Sequence, residues 1–183
     1  MTIKRMLLFA SVAFAALPAA AQAEWTHEGE LLKGAAEVQL SGTVMFTLPA
    51  GLGGNICLVK ANLVMLPGKQ GAITKPELQT ATCEGWGVLE GCEVEKDSTT
   101  APWAVAINEA TKHLDMQEST ISYVFKAGCP VPMAHLVFPA TTIEPDNPEA
   151  LDFLVATGMT ALGVVGKLTF KVIEGKAKTY GII

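Results

Sequence analysis

Val38-Gln39-Leu40-Ser41-Gly42-Thr43-Val44-Met45-Phe46 decides the fold. Val38, Leu40, Gly42, Val44 and Phe46 fall on one face of an extended chain, and Gln39, Ser41, Thr43 and Met45 on the other. That two-residue period belongs to a β-strand with one face in a core. Pro49-Ala50-Gly51-Leu52-Gly53-Gly54 follows as a turn cluster, and Ile56 to Leu66 reads as the next strand, stopped by Pro67-Gly68. Ile73 to Thr82 extends the pattern, with Pro76 arguing for an edge position or a break. Trp103-Val105-Ile107 is a short alternating face that places Trp103 in the core. Leu114-Met116 and Ile121-Tyr123-Phe125 are out of phase by one, which calls for a bulge or a change of strand. Leu136 to Phe138, Val164 to Val172 and Ile182-Ile183 complete the series.

Helix signals are sparse. Asn147-Pro148-Glu149 has the order of a cap, a first-turn proline and an early acid, so a short helix over Pro148 to Ala156 is expected. Leu31 to Val38 could open with a helical turn but has no convincing cap. The expected architecture is all-β: an antiparallel sandwich or barrel of about eight to ten short strands, with two disulfides and at most one short helix. No linker or low-complexity tract marks a second domain.

The first 23 residues read as a cleaved bacterial secretory leader. Lys4 and Arg5 give the positive start, Met6 to Leu17 the apolar run, and Pro18 a helix break. Ala21-Gln22-Ala23 places small residues where a signal peptidase reads them. The apolar run is shorter than the roughly 20 residues of a membrane span. Glu24, in the place where a lipid-anchored protein carries cysteine, opens a single domain over 24–183. The expected location is periplasmic or secreted, with no membrane insertion once the leader is removed.

Of the 13 Lys and Arg residues, Lys4 and Arg5 lie in the leader, leaving 11 bases against 18 acids and a net charge of −7 beyond it. Arg5 is the only arginine in the 183 residues. An acidic domain without a guanidinium fork is poorly equipped for phosphate, nucleic acid or anionic membranes.

Cys57, Cys83, Cys92 and Cys129 all lie beyond the leader. In an oxidising compartment four cysteines imply two bridges, with three possible pairings. Cys83 and Cys92 enclose a glycine-rich loop, and the segments after Cys57 and Cys129 look alike, as a duplicated strand unit would. The reading is therefore Cys83–Cys92 plus Cys57–Cys129. No Cys-x-x-Cys or close Cys/His pair indicates redox or metal chemistry.

Catalytic candidates are thin. His27, His113 and His135 lack partner motifs, no Gly-x-Ser-x-Gly elbow occurs, and Ser41 falls inside a strand. Glu90, Glu93, Glu95 and Asp97 are the densest acids; the last three, on one face if extended, read as a solvated edge strand. A carboxylate pair among the acids is what a small secreted hydrolase would use. Glu144, Asp146, Asn147, Glu149 and Asp152 offer calcium-type oxygens, but their spacing is not that of an EF-hand and the helix cap already accounts for Asn147 and Glu149. No metal or cofactor is expected. Trp86, between Gly85 and Gly87, is the candidate binding residue: an aromatic on a stiff loop offers apolar area at low entropic cost. The competing reading folds Trp86 back over the end of the sandwich.

Gly53-Gly54-Asn55-Ile56-Cys57, Thr82-Cys83 to Gly91-Cys92, Ala101-Pro102-Trp103-Ala104-Val105 and Lys126-Ala127-Gly128-Cys129 resemble a loose group of uncharacterised secreted bacterial proteins, over residues 40–130. The resemblance implies a disulfide-stapled β domain and brings no activity with it. The functional expectation is a noncatalytic envelope or extracellular protein acting by surface contact, either with itself or with another protein or glycan. Self-assembly would draw on the strand-like end Tyr180-Gly181-Ile182-Ile183.

Overall fold

The computed structural model describes residues 23–138, 140–145, 153–159, 165–172 and 180–183. Its strands are β1 (Trp25–His27), β2 (Glu30–Leu31), β3 (Ala36–Thr47), β4 (Gly53–Met65), β5 (Gln70–Gly87), β6 (Val94–Thr99) and β7 (Trp103–Ile107). They continue as β8 (Leu114–Met116), β9 (Ser119–Phe125), β10 (Met133–Phe138), β11 (Thr141–Pro145), β12 (Phe153–Met159), β13 (Val165–Val172) and β14 (Tyr180–Ile182). The all-β antiparallel expectation holds, with a 3₁₀ turn at Pro49–Gly51 as the one helical element among the described residues.

Eight strands pair in the ring β11-β12-β13-β3-β4-β5-β7-β8. β11 closes it by dividing its length: Thr141–Ile143 pair with β8, and Glu144–Pro145 with β12. A three-stranded sheet, β10-β9-β6, packs on the inner surface of this curled sheet. Phe46 of β3 meets Tyr123 and Phe125 of β9 at ring-centroid distances of 5.4 and 6.2 Å. A short sheet, β14-β1-β2, joins the two described ends of the chain. Trp25, fully buried, fixes it to the barrel by donating its indole N–H to the Gln70 carbonyl at 2.9 Å.

The face read from β3 is the core face: Val38, Leu40, Val44 and Phe46 are buried, as is Trp103. Leu114-Met116 and Ile121-Tyr123-Phe125 fall out of phase because they are separate strands in separate sheets. Pro76 neither breaks β5 nor marks an edge of the ring. It lies where the β4–β5 register shifts between Lys60 and Asn62, beside Lys75 at a positive φ of 49°, and a bulge spares the N–H that proline lacks. Leu31 to Val38 forms no helical turn. Residues 148–152 of the expected helix lie outside the described residues, and Phe153 to Ala156 belong to β12. Residues 1–22 of the expected leader also lie outside the described residues.

The two disulfides are present but paired differently from the reading above: Cys57–Cys83 and Cys92–Cys129. Glu84 to Gly87 do not form a closed loop; they extend β5 and pair with Gly53 to Ile56. Cys83 is thereby set against Cys57, with Cα atoms 4.1 Å apart. Cys92, after the turn that ends β5, reaches Cys129 in the β9–β10 turn. The Cys57 and Cys129 segments are not equivalent units, one lying inside a strand and the other in a turn.

Non-reducing peptide mapping should recover these two bridges. Replacing Cys57 and Cys83 by Ala should cost about 3 kcal/mol, the scale for a bridge spanning 26 residues. The Tyr123 hydroxyl is buried without a partner among the described residues, and its pKa is raised by burial first and by the Asp97 charge second. A phenol held neutral in the fold keeps its full contribution below the unfolded value of 10.0 and loses it as pH climbs above that. Stability should therefore fall in alkaline melts beyond about pH 10, and Tyr123→Phe should flatten that fall while leaving neutral-pH stability within about 1 kcal/mol.

Candidate functional site

Trp86 is the next-to-last residue of β5, opposite Gly54 in the register. Its indole lies over the Gly54 backbone: a Cβ built on Gly54 would stand 2.3 Å from Trp86 Cζ2. A glycine opposite an aromatic lets the ring cover backbone that would otherwise face water. One surface of the ring is therefore seated, and the residue is still 38% exposed, whereas Trp25 and Trp103 are buried. The ring folds onto its own sheet and keeps part of its surface exposed.

The turn behind it is firmly held. Gly87 takes a φ of +65°, and Val88 N–H donates to the Leu52 carbonyl at 2.9 Å. Leu89 is buried, and Cys92 is bridged to Cys129. Gly85 leaves room for the Leu89 carbonyl, which a Cβ would meet at 2.0 Å. Leu52 and Val88, both exposed, extend the apolar surface beside Trp86.

Trp86 belongs to a larger outward surface. Inward residues of β4 (Cys57, Val59, Ala61, Leu63) alternate with outward Ile56, Leu58, Lys60 and Asn62. Leu58 is 46% exposed. On β3 the outward set is Ser41, Thr43, Met45 and Thr47; Thr43 shares a 2.8 Å hydroxyl hydrogen bond with Thr169 of β13. A shallow groove of about 460 Å³ runs along this face, lined by Thr43, Ile56, Leu58, Thr82 and Glu84. The groove exists because four residues of β5, Thr80 to Cys83, stand against one residue of β4 between Ile56 and Leu58. Thr82 holds that bulge, its Oγ accepting from Leu58 N–H at 3.0 Å and donating to the Gln79 carbonyl at 2.7 Å. An indole, aliphatic side chains, hydroxyls and a single carboxylate make a surface suited to contact.

The other sequence candidates are dispersed. Glu93, Glu95 and Asp97 do not share a face, because Glu95 is the extra residue of a bulge between Val94 and Lys96. Glu93 pairs with Lys126, whose hydrogen bond and charge lower its pKa. Asp97 accepts from Leu78 N–H at 3.5 Å, and Glu90 is exposed in the turn. His27 stacks on Tyr180 with centroids 4.7 Å apart, His113 lies in the loop before β8, and His135 Nδ1 sits 2.6 Å from Ser122 Oγ on an exposed face. Asp146, Asn147, Glu149 and Asp152 lie outside the described residues. Among the described residues no three His, Cys, Asp or Glu side chains cluster as a metal site.

Leu52, Leu58 and Val88 are exposed apolar residues of this surface that the sequence reading did not single out. The unbroken apolar run Ile56-Cys57-Leu58-Val59 carried the signal, since a strand with four consecutive apolar residues is apolar on both faces.

Acrylamide should quench only the Trp86 share of the fluorescence, and Trp86→Phe should leave two shielded tryptophans. Gly54→Ala should cost roughly 1–3 kcal/mol by overpacking and raise the quenchable fraction as the ring is displaced. Comparison of the chain with protein-family models, curated proteins and solved structures finds no match.

Proposed function

We propose that this chain is an exported, noncatalytic protein of the bacterial envelope or extracellular space, working by contact through the outer surface of β3, β4, β5 and β13. The observation that carries the reading is Trp86, exposed on a strand end that two disulfides and a glycine seat hold in place. A preorganised aromatic loses little side-chain freedom on binding, so its apolar area converts efficiently into affinity. Two disulfides suit an oxidising compartment. No helix among the described residues is long and apolar enough to cross a membrane. The leader pattern of residues 1–23 supplies the export route, and the cysteine, glycine and Pro-Trp pattern over 40–130 agrees with the loose group of secreted bacterial β-domain proteins.

The pairing of β14 supports a face over a strand end as the contact. Tyr180 to Ile182 pair with His27 to Trp25 of the same chain, and Glu24 and Ile183 exchange backbone hydrogen bonds of 3.1 and 3.2 Å. Leader removal before Glu24 leaves this pairing whole.

A photo-crosslinking phenylalanine analogue at Leu58 should give a discrete adduct when the protein is expressed in its own compartment. The same analogue at Lys33, beyond the far end of β3, should give none. Equal labelling at the two positions, or none at Leu58, would remove the contact reading.

A further inference from the structure

One row of the outer face carries an acid at one end and a base at the other. Glu84, Ile56, Met45 and Lys167 are successive Cα partners across β5, β4, β3 and β13. With strands about 4.8 Å apart, Glu84 and Lys167 stand about 14 Å from each other, beyond the reach of an ion pair within one chain. Both are exposed, and neither forms an ion pair among the described residues. The row towards the other end, Glu77, Lys60 and Ser41 on β5, β4 and β3, again begins with an acid on β5 and sets a lysine beside it. The row through Ile56 and Met45 is thus acidic at its β5 end, basic at its β13 end, and apolar between.

Resting on the contact reading above, we propose that the partner of this face is a second copy of the same chain, related by a two-fold axis parallel to the strands and lying midway between β3 and β4. That operation turns the row onto itself: Glu84 of each copy falls over Lys167 of the other, and Ile56 over Met45. An axis at right angles to the strands would set Glu84 over Glu84, so the charge order picks one symmetry. The same turn brings Leu58 over Thr43 and Trp86 over the β13 position of Val165. Facing sheets packed about 10 Å apart interdigitate such side chains. The result is an isologous interface with an apolar centre and charged margins.

Sedimentation of the unreduced, exported chain should give twice the chain mass. Glu84→Lys and Lys167→Glu each place like charges together twice per dimer, and each should weaken association at least about tenfold while leaving circular dichroism unchanged. An equimolar mixture of the two variants should recover the dimer mass, because the mixed pair restores both opposite-charge contacts. Single variants that stay dimeric, or a mixture that stays monomeric, overturn the proposal. A monomer whose Leu58 position crosslinks to some other molecule refutes the second copy as partner and leaves the contact reading standing.

Discussion

The pairing of β3 with β4 is the constraint on which the rest depends. Twelve consecutive residues, Ala36 to Thr47, pair without interruption with Gly54 to Met65. Side chains alternate with a period of two, so a slip of one residue would exchange the faces and send Phe46, Val44 and Leu40 into water. Because the register is continuous, the inward set seats the β9 aromatics and the outward set forms one even surface. β13 extends that surface on one side in eight consecutive pairs, and β5 extends it on the other.

β5 supplies the irregularity that a closed sheet of this length needs. Two register shifts against β4 bend it, one at Lys75-Pro76 and one over Thr80 to Cys83. Bulges concentrate twist and re-aim the residues beyond them. Here the second shift delivers Trp86 onto Gly54. The disulfides flank this arrangement: Cys83 is tied to β4 immediately before it, and Cys92 to the β9–β10 turn immediately after it. The segment that carries the exposed aromatic is thus stapled at both ends to different parts of the fold, which gives the stiffness expected of a self-closed loop by another route.

Much of the β architecture was legible because it is local. The alternation in Val38 to Phe46 named its own core face, Trp103 declared itself buried, and four cysteines beyond a leader pattern implied two bridges. What escaped was set by register between strands distant in sequence. Which cysteine meets Cys57 depends on Glu84 standing opposite Ile56, and no local pattern records that pairing. Pro76 looked like a breaker because its bulge is defined by β4. Trp25, beside the expected cleavage point, gave no periodic signal and is buried through β14 and Gln70. Trp86 was singled out from its neighbouring glycines, but the seat on Gly54 and the flanking Leu52, Leu58 and Val88 come from tertiary placement.

The central claim is that one register divides this sheet into a core face and an exposed face. Hydroxyl-radical footprinting of dilute protein, read residue by residue, tests it most directly. The account predicts oxidation of Trp86 and Met45, with Trp25, Trp103, Met65 and Met116 spared. Oxidation of Met65 or Trp103 at a rate comparable to Met45 would contradict it, because the faces would then be exchanged or the strands differently paired.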